Sequence, residues 1–186
     1  MKIIKLHNPE KSLIKKASNN NREAQEQLFK QHSPKMLGVC RQYVKDLHHA
    51  EDLLLQAFLK VFTNLHKFKH EGSFEGWIRR IMVNTCISYN QKKNVINLSD
   101  EEYVFNDSAT ESLENTSVED IQRLIDQLPE GYKMVFNLFA IEGYKHSEIA
   151  EKLGVSESTS KSQLFKARKL LQQNYIKMNK TVNENK

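Results

Sequence analysis

Residues 144–171 read YKHSEIAEKLGVSESTSKSQLFKARKLL. The stretch predicts two short helices around a tight turn, the second of them basic. Ser147 is placed to cap the first helix through its hydroxyl, with Glu148 in the first turn, where a carboxylate meets the positive end of the helix dipole. Ile149, Ala150 and Leu153 share one face. Gly154 ends the helix, because glycine enters the left-handed region without steric cost. Ser156 caps the second helix. Its expected buried face is Ser160, Leu164, Ala167 and Leu171, at helical spacing. The other side carries Lys161, Ser162, Phe165, Lys166 and Lys169. A cap, a small residue at Ala150, Gly154 and a basic face in one register describe a helix-turn-helix whose second helix can enter a DNA major groove. A plain helical hairpin with solvated lysines accounts for the charge but not for the shared register.

The rest of the chain is consistent with such a module. Its 186 residues suffice for one large or two small domains, 39% are hydrophobic, and only 6 Gly and 3 Pro favour helices over sheet. The net charge of +5 is unevenly spread. Residues 1–98 hold 17 basic and 8 acidic side chains, 99–130 hold one basic (Arg123) and ten acidic, and 131–186 hold 10 basic and 5 acidic. Two basic lobes about an acidic segment suggest two nucleic-acid surfaces and a strap that avoids DNA. Solvated helix faces and an inert linker would give the same charges. Cys40 and Cys86 lie in apolar helical patterns without metal-ligand spacing and are expected to be core residues in a reducing cytoplasm. His48-His49 pairs with no cysteine as a zinc site. With no leader-like apolar start and no window of transmembrane length, a soluble cytoplasmic protein without metal or cofactor is expected.

In the N-terminal lobe a short helix is expected from Pro9 to Ala17, broken by Asn19-Asn20-Asn21. Arg22 to Val44 is helical in pattern, with Pro34 expected to kink or interrupt it. Ala50, Leu53, Leu54, Ala57, Phe58, Val61, Phe62 and Leu65 repeat at helical spacing without a miss. Asp52, Leu55, Gln56 and Leu59 occupy the other side, where a leucine pair beside a carboxylate suggests a partner surface, although a wide core stripe accounts for the leucines as well. After the loop His66–Gly72, a further helix starts at Ser73 with Phe74, Trp77, Ile78, Ile81, Met82 and Thr85 on one face. Arg79, Arg80, Asn84, Lys92 and Lys93 supply polar and basic groups around it, suited to phosphate contacts or to solvent.

Three segments in this order, AEDLLLQAFLKVF, SFEGWIRRIMVNTCISYNQKK and LPEGYKMVFNLFAIEGYKHSEIAEKLGVSESTSKSQLFKARKLL, resemble an extracytoplasmic-function sigma factor, the small two-domain type of bacterial RNA polymerase sigma subunit. The resemblance spans about residues 10–175. It implies that the helix bearing Asp52 and Phe58 docks on the clamp helices of polymerase β′. Leu55-Gln56 stands where the family has Gln-Glu, so one polar contact is replaced by an apolar one. It implies that Asn84 lies at a pocket for a base flipped out of the minus-ten element, that the loop His66–Gly72 selects that base, and that Arg79, Arg80, Lys92 and Lys93 hold the strand. An amide offers both donor and acceptor to an unstacked base edge. It implies that Lys161, Ser162, Phe165, Lys166 and Lys169 face the minus-thirty-five duplex, Phe165 being suited to thymine methyls. Ser160 replaces a β-branched apolar residue common in the family.

The expected architecture is all-α, with two helical domains (1–94 and 119–177), an acidic flexible linker at 95–118 and a polar tail at 178–186. The expected partners are core RNA polymerase through its β′ clamp helices and β flap, promoter DNA, and, as a family expectation, an anti-sigma factor. The chain would perform no chemistry itself. Two other readings compete: a dimeric helix-turn-helix regulator, against which stands the lack of a strand–helix receiver pattern, and a helical-bundle enzyme using Cys40 or Cys86 with a histidine.

Overall fold

The computed structural model describes residues 9–92 and 117–184. All regular structure among the described residues is helical. The chain divides into two compact units, Met1–Cys86 and Ile87–Lys186. Lys93 and residues 95–116 of the expected linker lie outside the described residues.

Helix α1 (Pro9–Ser18) buries Ile14 and Ala17. The three asparagines end it as expected. Asn20 takes a left-handed φ of 61°, and the Asn21 side chain accepts the Ala24 N–H at 2.8 Å, capping α2 (Arg22–Tyr43). Pro34 does not interrupt α2. Leu28, His32, Met36, Val39 and Cys40 are buried on both sides of it, and that packing offsets the missing backbone donor. Asp46 caps α3 (Leu47–Thr63) by accepting the His49 N–H at 2.8 Å. Ala50, Leu53, Leu54, Ala57, Phe58 and Val61 are buried, and Leu65 follows in a 3-10 turn, Leu65–Lys67.

Helix α4 (Phe74–Lys92) buries Phe74, Ile78, Met82, Val83, Thr85, Cys86 and Ile87, while Trp77 and Ile81 are only half-buried. The buried stripe is thus rotated from the expected one towards Val83 and Ile87. Trp77 joins an aromatic cluster instead, its ring 5.5 Å from Phe68 and 5.9 Å from Phe74. Side chains tie α4 to its neighbours. The Cys40 and Cys86 thiols meet, both fully buried, and Lys60 Nζ donates to Thr85 Oγ1 at 3.1 Å. His32 lies buried, edge-on to Phe74, with Nε2 3.9 Å from Glu10 Oε1. Burial holds its imidazole below the ordinary range, against the pull of Glu10 and Glu75.

In the second unit, Ser117 caps α5 (Val118–Asp126) by accepting the Asp120 N–H. Helix α6 (Glu130–Phe136) runs on into a widened π turn, Asn137–Ile141, where the Glu142 N–H reaches back to the Asn137 carbonyl at 3.0 Å. Helices α7 (His146–Leu153) and α8 (Glu157–Glu184) complete the unit. Leu128, Tyr132, Ala167 and Leu170 form a core cluster with Phe136 and Leu171 against it. Lys133 is also buried, its Nζ 3.7 Å from Asp126 and 3.8 Å from Glu130. The second helix of the opening stretch is therefore long, not short, and enters the expected polar tail. Its apolar spacing continues through Tyr175 and Ile176, both buried, and no Gly or Pro follows to stop it.

Candidate nucleic-acid interface

The turn between α7 and α8 forms as the glycine predicts. Gly154 sits at φ 70° and ψ 36°, and Val155 N–H closes onto the Ala150 carbonyl at 3.0 Å. Ser156 Oγ accepts the Thr159 N–H at 3.0 Å and so caps α8. The expectation for Ser147 is corrected. Helix α7 begins two residues earlier than a Ser147 cap would give, at His146, so Ser147 lies inside the first turn and is exposed. The cap position is Lys145, whose N–H donates to Glu148 Oε2 at 2.8 Å. Glu148 thus supplies the N3 half of a capping box, satisfying the amide of the cap residue.

On α8, Ser160, Leu164 and Ala167 are buried as expected, and Leu170 is more buried than Leu171. Gln163 is buried as well, which its polarity concealed. Lys161, Ser162 and Phe165 point outward, Phe165 with 68% of its surface exposed, while Lys166 and Lys169 are half-buried. Lys161 Nζ lies 2.7 Å from Glu157 Oε1 one turn back, and this pairing lowers the Glu157 carboxyl's pKa. Ser162 Oγ donates to the Thr159 carbonyl at 3.0 Å. Beyond these local bonds, the Lys161 ammonium keeps further N–H donors and the Ser162 hydroxyl its acceptor lone pairs. Arg168, which the sequence did not single out, lies with its guanidinium 5.5 Å from the Phe139 ring.

On α4, Arg80, Asn84 and Lys92 are exposed and fall every fourth or eighth residue along one stripe, which also holds exposed Ser88. Arg79 is half-buried and close enough to Glu75 to lower that carboxyl, to which the Lys35 ion pair contributes more. The loop before α4 is anchored at its middle. Phe68 is buried, 5.1 Å from the Phe74 ring, which leaves Lys69, His70, Glu71 and Gly72 as its exposed tip. His70 and Gly72 both hold positive φ, 58° and 90°.

On α3, Asp52, Leu55, Gln56 and Leu59 all face outward on one side, Leu55 57% and Leu59 69% exposed. Among the described residues, no helix is long and apolar enough to cross a membrane.

These surfaces coincide with known modules. Residues 28–95 match the family model for Sigma-70 region 2, and residues 118–171 that for Sigma-70, region 4. RNA polymerase sigma factor SigZ of Bacillus subtilis is 35% identical over 133 residues, which cover 70% of this chain and 74% of that protein. ECF RNA polymerase sigma factor SigM of the same organism is 26% identical over 144 residues, 75% of this chain and 86% of that one. A solved structure of the sigma factor RpoE of Bartonella quintana, in complex with the anti-sigma factor NepR, is 20% identical, covers 80% of this chain and 94% of that chain, and superposes with a TM-score of 0.49. The chain carries both sigma-70 modules in their family order. It belongs to the extracytoplasmic-function RNA polymerase sigma factors, transcription initiation factors whose partners are core RNA polymerase and promoter DNA. The dimeric-regulator reading is disfavoured, because the region 2 match accounts for the N-terminal unit.

Proposed function

We propose that the division of labour within this sigma factor follows the three outward faces. The face of α3 bearing Asp52, Leu55, Gln56 and Leu59 docks on the β′ clamp helices. The exposed stripe of α4, with Asn84 at its centre, and the loop His66–Gly72 that precedes the helix read the minus-ten element as melted strand. Arg79, Arg80 and Lys92, with Lys93 beyond them, hold its backbone. The outward face of α8 reads the minus-thirty-five element as duplex. An anti-sigma factor belongs among the partners on family grounds, and the β flap among the polymerase contacts.

The observation that carries this reading is the outward α8 face, where an exposed Phe165 stands among lysines on the second helix of a helix-turn-helix. A major groove offers thymine methyls as the apolar counterpart of that ring, and the lysines beside it suit the flanking phosphates. Footprinting with and without core polymerase tests the whole assignment. With core, two unlike elements should be protected, one upstream as duplex and one at the melted start. Symmetric protection by the chain alone would sink it.

A further inference from the structure

Ser160 is fully buried at the start of α8, and its hydroxyl lies 2.9 Å from His146 Nδ1 in the first turn of α7. A buried hydroxyl needs a partner, and here the partner comes from the other helix of the pair. Either group can donate, according to the imidazole tautomer. The His146 ring also stacks on Phe139, in the π turn, at 4.6 Å and 24°, and lies close enough to Glu157 to help lower that carboxyl. Arg168 then lies over Phe139. Helix α8 is therefore tied to one His146–Phe139 stack at two points, Ser160 and Arg168, about two turns apart. Lys161, Ser162 and Phe165 all lie between the ties.

Apolar packing between helices tolerates small rotations, while a hydrogen bond is directional. A rotation of about 20° moves a side chain 5–6 Å from the helix axis by about 2 Å, enough to break a base-edge contact. We infer that His146 is a positioning residue for promoter recognition: by holding Ser160 it sets the rotation of α8, and with it the fit of Lys161, Ser162 and Phe165 to duplex DNA. The inference rests on the reading of α8 as the duplex reader. It also explains how a serine serves at a buried position where an apolar side chain would otherwise be expected.

The probe is a duplex selected from a random-sequence pool by the unmodified full-length chain with core polymerase. A scrambled duplex of equal length is the control. Ser160→Ala and His146→Phe, which keeps the ring stack, should each weaken binding of the selected duplex by roughly five- to tenfold, the worth of one hydrogen bond. The double variant should be no weaker than either single, since both remove the same contact. His146→Asn, which retains a polar atom near the Nδ1 position, should restore most of the affinity. Binding to the scrambled duplex, governed by charge, should not change. In the unmodified chain, the His146 Nδ1 nitrogen resonance should report a hydrogen bond and move in Ser160→Ala. Additive losses, equal losses on both duplexes, or an Nδ1 resonance typical of a free imidazole would overturn the inference, and the last needs no variant to fold. If the unmodified chain selects no duplex, the reading of α8 itself fails and takes this inference with it, before any variant is made.

Discussion

Leu55 shows what a single position can carry. It is exposed beside Asp52 and Gln56, so replacing it should disturb a partner more than the fold. Leu55→Arg should weaken capture by purified core polymerase while shifting stability by no more than about 0.5 kcal/mol; unchanged capture would exclude this face as the dock. His32 is the opposite case, a buried group with consequences for the fold alone. Burial lowers its pKa from an ordinary 6.5, so in the acid direction the unfolded chain takes up the proton first. Its stabilising contribution is full above that value and is lost as pH falls through it towards the lower folded value. The melting temperature should therefore drop as pH falls below about 6.5, and His32→Leu should flatten that slope if the substitution is accommodated. An equally steep slope in the variant would place the titration elsewhere. Residue identity made the exposed leucines and Gly154 legible in the sequence. It could not reveal that Lys161 is held by Glu157, or that Ser160 meets His146, because those partners depend on rotamer and on helix packing.

Among the elements, α3 was legible in its buried stripe, because its apolar period is unbroken, but not in its ends: the cap at Asp46, the half-burial of Phe62 and the 3-10 turn at Leu65 came from the structure. Helix α4 was legible as a helix but not in its rotation. Aromatic rings at Phe68, Phe74 and Trp77 cluster at its start and leave Trp77 half-exposed, so the smaller Val83 and Ile87 turn inward. Nothing in the segment NLFAI announces a π turn. Two substitutions test the local backbone. At Gly154 an added Cβ would meet nothing within 4 Å, so Gly154→Ala should cost only the left-handed conformation, roughly 1–2 kcal/mol by chemical denaturation. Pro34 is exposed in mid-helix, so Pro34→Ala should stabilise α2 by about 1–2 kcal/mol, the helix penalty less the entropy restored to the unfolded chain. A destabilised Pro34→Ala would mean the proline shapes a bend that packing needs.

For the molecule as a whole, charge distribution was the most legible property and the hardest to assign. The basic lobes do present outward lysines and arginines, but several are engaged within the chain. Lys161→Ala should lower the slope of log affinity for duplex DNA against log salt by about one unit if that lysine meets a phosphate. Glu157→Gln should act oppositely, raising affinity by releasing Lys161 and removing a carboxylate beside the groove-facing side; a titration across salt concentrations distinguishes the two, and no gain in Glu157→Gln would mean that Glu157 does not hold Lys161 back from DNA. The acidic segment's path was not legible, since low periodicity and high charge describe what it avoids more than where it goes. Lys133 bears on how such a chain can change over descent. Its side chain is 2% exposed, whereas those of Asp126 and Glu130 are 22% and 29% exposed. Losing the carboxylates first takes partners away from a buried cation, while losing the lysine first leaves two anions that can still reach water. Substitution is thus a one-way gate: lineages that abandon this ion cluster should pass through an apolar residue at 133 before the acids drift.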